Sequence, residues 1–129
     1  MRGMIKSMVH YALFLAVGLG AGYAAVQGAA WFKSRPETGD YQAYYPDPSV
    51  KVVLYGTAWC PYCAKARAYL KARNVAYLDL DVEKQPDARR QFEQLGGNSF
   101  PLVLIGNRKI AGFDPDQFDS ALNLLTQAR

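Results

Sequence analysis

The sequence predicts a three-layer α/β/α fold: a small four-stranded mixed sheet with helices on both faces, in the order β-α-β-α-β-β-α, preceded by an N-terminal transmembrane helix. Three observations predict it. From Val9 to Phe32 the chain carries no formal charge, and ~20 apolar helical residues suffice to cross a hydrocarbon core. Beyond Val50, short β-branched or alternating apolar runs take turns with stretches whose apolar residues recur at helical spacing. Two of those stretches open on proline, Pro61 and Pro115, at the position where a helix tolerates it best. With 129 residues, 50% of them hydrophobic, the chain has room for one core and an appendage. Residues 1–32 read as a transmembrane or signal-anchor segment, 33–49 as a linker and 50–129 as the globular domain.

The N-terminal run reads as a retained single-pass anchor that meets membrane lipid through residues 9–32. A cleaved signal peptide is the alternative; its apolar core is ordinarily only ~7–15 residues long, but Gly28-Ala29-Ala30 offers the small residues a signal peptidase requires. Gly18, Gly20 and Gly22 weaken a soluble helix and are tolerated in membranes, where small residues let helices approach. Tyr11, Trp31 and Phe32 lie near the ends, as interfacial aromatics do, and His10 reads as a wetted flank residue. The amino terminus, Arg2 and Lys6 precede the run and Lys33 and Arg35 follow it. The positive-inside count therefore leans towards a cytoplasmic amino terminus in the inner (cytoplasmic) membrane, with the rest of the chain periplasmic or extracytoplasmic. Secretion after cleavage and a cytoplasm-facing domain are the other two arrangements.

Lys33 to Ser49 mixes Pro, Gly, Asp and Ser without a sustained period and reads as a tether. Tyr44 and Tyr45 either lie on the domain, the preferred reading, or meet the headgroups. Val50 to Gly56 is short, β-branched and apolar on both faces, as a central strand requires. Pro61 to Arg73 combines a first-turn proline, alanines and Leu70 as a helix. In the next strand Ala76, Leu78, Leu80 and Val82 take one face and Tyr77, Asp79 and Asp81 the other. Asp87 to Leu95 spaces Ala88, Phe92 and Leu95 helically and stops at Gly96-Gly97-Asn98. Pro101 to Gly106 is a buried strand, Asn107 marks a tight turn, and Lys109 to Gly112 is its partner strand. The last helix has a full start signal: Asp114 as cap, Pro115 in the first position, Gln117 in the capping-box position, and Phe113 with Phe118 as a hydrophobic staple. Phe118, Leu122 and Leu125 then face the sheet.

The two cysteines, Cys60 and Cys63, stand ahead of and inside the helix that begins at Pro61. Structural zinc needs about four ligands, and one distant histidine does not complete a site within one monomer, so no metal is expected. A disulfide between such close neighbours closes a tiny loop and gains little chain entropy. Redox exchange needs what is present: a reactive, exposed thiolate and a second thiol to resolve a mixed disulfide. Cys60 meets unpaired N–H groups and the positive end of the helix dipole, a setting in which thiol pKa values fall to ~3.5–7.5. Cys60 is thus the candidate nucleophile and Cys63, deeper in the helix, the resolving thiol. Tyr62 either flanks a substrate or is an ordinary exposed aromatic, and Lys65 reads as a solvated helix lysine. A net charge of +4, with basic and acidic residues interleaved, gives no nucleic-acid surface.

The run Gly56-Thr57-Ala58-Trp59-Cys60-Pro61-Tyr62-Cys63, followed by Ser99-Phe100-Pro101 and Gly112-Phe113-Asp114, resembles the dithiol glutaredoxin family over Lys51 to about Leu125. The resemblance implies a thioredoxin-like fold and a glutathione-linked thiol-disulfide oxidoreductase that reduces protein disulfides or glutathione mixed disulfides. It implies glutathione as co-substrate, no tightly bound cofactor, and disulfide-bearing or glutathionylated proteins as clients. It also implies that Pro101 is a cis-proline opposite the dithiol and that Phe100 offers backbone N–H and C=O to glutathione, with Tyr62 at its flank. Phe113 and Asp114 would hold the γ-glutamyl end. The chain departs from the family at Thr57, where many members carry lysine, at Ser99-Phe100 for Thr-Val, at Ala111-Gly112 for a glycine pair and at Pro115 for a second aspartate. Trp59 is similar to the tryptophan of thioredoxin.

Two further functions stand beside that expectation. One is an iron-sulfur cluster carrier built from two protomers and two glutathiones, which the resemblance links mostly to sites lacking the proline at Pro61. The other is a partner-specific membrane redox protein that does not use glutathione.

Overall fold

The computed structural model describes residues 1–33 and 36–128, divided at residue 35 into two units. The first unit is a single helix, α1 (Arg2–Lys33). Its Gly3–Ala29 stretch has a mean hydropathy of 1.6, and its length and composition suffice to cross a membrane; a signal sequence has the same properties. Among the described residues its large apolar side chains, Leu13, Phe14, Leu15 and Leu19 included, are exposed. Polar side chains within the helix bond locally: Gln27 donates to the Tyr23 hydroxyl at 3.0 Å, and His10 Nδ1 donates to the Lys6 carbonyl at 2.6 Å. At the far flank, the expected roles fall on the side chains of Trp31, Phe32 and Lys33 and on Arg35, which lie outside what is described.

The second unit carries β1 (Glu37–Thr38), a 3-10 turn (Gln42–Tyr44), β2 (Val52–Gly56), α2 (Pro61–Ala72), β3 (Leu78–Asp81), α3 (Pro86–Gln94), β4 (Leu102–Ile105), β5 (Arg108–Ala111) and α4 (Pro115–Gln127). The strand order is β1-β5-β4-β2-β3, with β2 and β3 parallel and every other pair antiparallel. From β2 onward the elements follow the expected order, but the sheet has five strands where the sequence predicts four. The extra strand lies in the segment read as a tether. Glu37 pairs with Lys109 and Thr38 with Arg108, so the free edge of β5 is covered. The compact unit accordingly begins at Pro36 rather than at residue 50. Two residues hold no periodicity to read; their strand geometry comes from the edge they dock on.

Side-chain alternation along the strands builds one core on each face. Val52 and Leu54 of β2 join Val103, Ile105 and Ile110 under Ala66 and Leu70 of α2 and Phe118 and Ala121 of α4. Val53 and Tyr55 join Leu102 and Leu104 under Ala88 and Phe92 of α3. The second face is completed by Tyr41, Tyr44 and Tyr45 from the strap before β2, which confirms that these rings lie on the domain. Tyr45 Oη donates to the Gly106 carbonyl at 2.7 Å. Lys109 Nζ contacts Glu37 at 2.6 Å and donates to the Leu95 carbonyl at 2.8 Å, tying the strap to the end of α3.

Candidate active site

β2 ends at Gly56 and α2 begins at Pro61, so Thr57 to Cys60 turn the chain from sheet to helix. Cys60 is the residue before the helix, extended at φ −74° and ψ 117°. From there its Sγ accepts the backbone N–H of Cys63 at 3.2 Å, in the manner of a capping serine, and Ala64 N–H bonds the Cys60 carbonyl at 3.1 Å. Pro61 fills the first helical position, where its missing N–H costs no bond. Both thiols are free. Cys60, expected to be exposed, is only 5% exposed, because capping tucks its sulfur against the first turn of α2.

Cys63 is fully buried. Burial and its hydrogen bond with Cys60 push its thiol up to about 11, against the smaller opposing influences of the Thr57 backbone and the Arg67 charge. The proton therefore stays on Cys63 at neutral pH. Gly56 makes this packing possible: a Cβ there would sit 2.8 Å from Cys63 Sγ.

The rim is aromatic. Trp59 and Tyr62 are 67% and 57% exposed on either side of Cys60 in sequence. Trp59 Nε1 donates to Glu83 at 3.0 Å, and its ring meets Phe100 edge-on at 6.5 Å, while Phe100 stacks on Phe92 at 4.9 Å. Lys65 is exposed, as expected of a solvated helix lysine, with its Nζ 5.2 Å from the Tyr62 ring centroid. The Phe100-Pro101 peptide is cis. The Gly112 N–H bonds the Pro101 carbonyl at 2.7 Å, and Gly112 does so at φ 86°, which glycine accommodates without strain. This bond carries the Phe113-Asp114 turn to the cis-proline. The Phe113 ring itself points between α2 and α4, edge-on to Tyr69 at 5.5 Å and to Phe118 at 5.3 Å, as the expected staple. Asp114 caps α4 by accepting from Asp116 N at 3.0 Å and Gln117 N at 3.3 Å, and Gln117 Nε2 donates to its second oxygen at 2.9 Å.

Two residues unremarked as site residues in the sequence complete the surroundings. Arg67, one turn beyond Cys63, directs both terminal nitrogens at the Thr57 carbonyl at 3.3 Å and its Nε at Asp79 at 2.7 Å. The four-residue spacing from Cys63 is the signal that puts Arg67 on the same side of the helix; nothing local marks Asp79. Thr57 is fully buried, and its hydroxyl has no partner among the described residues. No three His, Cys, Asp or Glu side chains cluster as a metal would require among the described residues.

A family-wide sequence profile for glutaredoxins matches residues 52–110. A glutaredoxin of Pseudomonas aeruginosa is 33% identical over 64 residues, which span 49% of this chain and 76% of the relative. One from Neisseria meningitidis serogroup B is 38% identical over 64 residues, 48% of this chain and 75% of the relative. The chain belongs to the glutaredoxin family. Glutaredoxins are in general thiol-disulfide oxidoreductases. A crystal structure of a mutant of the thioredoxin-like protein BC3987 superposes with a TM-score of 0.54 at 35% identity, covering 57% of this chain and 95% of that one. The glutaredoxin of Archaeoglobus fulgidus shares the fold at a TM-score of 0.52 and 19% identity, over 65% of this chain and 95% of its own. Here the glutaredoxin domain therefore has the thioredoxin-like fold, with β1 and α1 lying ahead of the profile-matched part.

Proposed function

We propose that this glutaredoxin reduces glutathione mixed disulfides and protein disulfides through Cys60 and Cys63, with glutathione as the reductant, from a membrane anchor. The observation that carries the reading is the Cys63 N–H directed at Cys60 Sγ across the first turn of α2. That bond holds the Cys60 sulfur at the amino end of α2, on the residue that precedes the helix. As thiolate, Cys60 attacks the glutathione sulfur of a mixed disulfide; that S–S bond breaks, and the client leaves as a thiolate that takes up a proton. A second glutathione thiolate then attacks the glutathione sulfur held on Cys60, giving glutathione disulfide and free Cys60. Alternatively Cys63 loses its proton and attacks Cys60 Sγ, which closes the Cys60–Cys63 disulfide and releases glutathione.

Glutathione would lie along Phe100 and Pro101, using the Phe100 backbone as a short strand does. Phe113 N–H and the Asp114 carboxylate would receive its γ-glutamyl end. Asp114 serves both roles because a carboxylate offers about four acceptor sites, and the helix cap takes three bonds. A second reading, reduction of one protein client without glutathione, is favoured by the rim: Thr57 brings no cation to the surface, whereas Trp59 and Tyr62 present exposed rings.

The anchor is α1, with the amino terminus cytoplasmic and the domain across the inner membrane. Glutaredoxin couples lie at about −200 to −230 mV, so in an oxidising periplasm a reductase needs a supplied reductant, exported glutathione or a membrane electron donor. Turnover of a glutathionylated protein by the full chain in detergent tests the chemistry. Cys60→Ser should abolish it, and Cys63→Ser should keep the glutathione-resolved route; equal abolition by both contradicts the assigned roles. Turnover of protein disulfides that is indifferent to added glutathione selects the second reading.

A further inference from the structure

The turn that carries Phe113 and Asp114 is gripped from α2 by one side chain. Tyr69, half-buried, packs its ring edge-on against Phe113 at 5.5 Å and Phe118 at 5.7 Å, and its hydroxyl lies 3.2 Å from the Pro115 carbonyl. Both sequence neighbours of Asp114 are therefore in contact with Tyr69. The single hydroxyl proton is shared between that carbonyl and the Asp119 carboxylate, one turn further along α4. Either acceptor belongs to α4, so either bond fastens the start of α4 to α2. Arg73 closes the cluster, with its guanidinium carbon 3.4 Å from the centroid of the Tyr69 ring and its Nε donating to Asp119 at 3.1 Å. Burial, and after it the bond to Asp119, pushes the Tyr69 phenol up to about 12, so the hydroxyl keeps its proton at neutral pH. At its other end the same turn is fixed to the cis-proline, through the Gly112 N–H and the Pro101 carbonyl at 2.7 Å.

Resting on the glutathione reading above, we infer that Tyr69 is a positioning residue for glutathione: it sets the separation between α2, which opens at Cys60, and the Phe113–Asp114 turn that receives the γ-glutamyl end. A glutathione mixed disulfide has to satisfy two places at once, with its sulfur at Cys60 and its γ-glutamyl end at the turn. Each place is fixed within its own helix. Cys60 is held by its bond from Cys63 N–H in the first turn of α2, and Asp114 by its bonds from Asp116 N–H and Gln117 N–H in the first turn of α4. The distance between the two helices is left to contacts that cross from one to the other, and the Tyr69 ring and hydroxyl cross at the end of α4 where Asp114 stands. A turn already held at the right distance binds its ligand without an ordering cost, whereas a turn free to shift has to be ordered on binding. Tyr69 touches no reacting atom. It acts on Asp114 through Phe113 and Pro115, so its effect falls on the binding of glutathione and not on the exchange of sulfurs.

The test compares two mixed disulfides of one cysteine-containing peptide, one with glutathione and one with 2-mercaptoethanol, which has no γ-glutamyl end. Each is given in excess to the reduced full chain in detergent, and the peptide thiol released in a single turnover is followed over a concentration series. The half-saturating concentration and the limiting rate are thereby obtained separately, as the counterparts of KM and kcat. Tyr69→Phe keeps the ring and deletes the hydroxyl. It should raise the half-saturating concentration of the glutathionylated peptide about fivefold, the ordinary effect of one hydrogen bond. The limiting rate, and the reaction with the hydroxyethyl mixed disulfide, should stay within about twofold. Tyr69→Leu also removes the edge-on contact with Phe113 and should raise the half-saturating concentration further. A side chain that merely stabilises the fold does not change the preference between the two substrates. Equal slowing on both, or a preference for the glutathionylated peptide that survives in Tyr69→Phe and Tyr69→Leu, overturns the inference. Asp114→Asn keeps a good capping side chain and removes the charge, and should abolish most of that preference. If it does so while the Tyr69 variants behave as wild type, the positioning role alone fails. If Asp114→Asn leaves the preference intact, or wild type has none, the glutathione reading fails and the inference with it.

Discussion

Cys60 and Cys63 share one helical turn yet meet opposite demands. Cys60 has a donor on its sulfur, whereas Cys63 is packed beneath Gly56 and its thiol is held at about 11. Burial that raises a thiol pKa in the folded chain favours the protonated form, and so has a consequence for stability. From an ordinary value of 9.0 to about 11, the contribution is fully present below about pH 9 and is lost as pH rises through about 11. Reduced wild type should therefore lose stability over that interval relative to Cys63→Ser, which has no ionising group there. Urea unfolding of both proteins across the interval checks this; parallel pH profiles would refute it. The placement of Cys60 just ahead of α2 and of Cys63 within its first turn was legible from their spacing and from Pro61. The burial of Thr57 was not, because it depends on how the loop after β2 folds under Arg67.

Between elements, the largest departure from expectation is the strap from Pro36 to Ser49. Its composition, rich in turn residues and without a period, reads as a linker, yet it pairs with β5 and lays three tyrosines on the α3 face. Tyr45 binds the strap to the Gly106 carbonyl, and burial raises its phenol pKa. Tyr45→Phe keeps the ring and deletes the hydrogen bond, and should cost about 0.5–1.5 kcal/mol. The loss should appear in urea unfolding and as faster proteolysis within the strap; unchanged values for both would show that the bond contributes nothing. By contrast, the start of α4 was legible in full. Asp114, Pro115, Gln117 and the Phe113–Phe118 contact stand where the local code places them. Capping involves neighbours in sequence, so sequence displays it. Strand pairing between residues 37 and 109 involves no such proximity.

At the scale of the whole chain, the division at residue 35 separates two units of different surface character. The helix exposes apolar side chains along its length, and the domain buries its own in two cores. Exposure of that kind is stable only in lipid or in a segment that is removed. The expected outcome is that the chain fractionates with membranes at its full mass, and that a reporter fused after Arg129 reads as extracytoplasmic. Soluble protein shortened near Ala30, measured by mass spectrometry, would instead select secretion.

The sequence by itself determined the α/β order, the apolar N-terminal helix, the dithiol and the cap of α4, since each depends on the character and spacing of residues close together in the chain. Only the tertiary structure decided that a fifth strand closes the sheet edge, that Gly56 makes room for Cys63, and that Arg67 joins Thr57 to Asp79. The physical reason is the same in each case. These contacts acquire their meaning from partners brought together by the packing of separate elements, and no local pattern encodes which partners those will be.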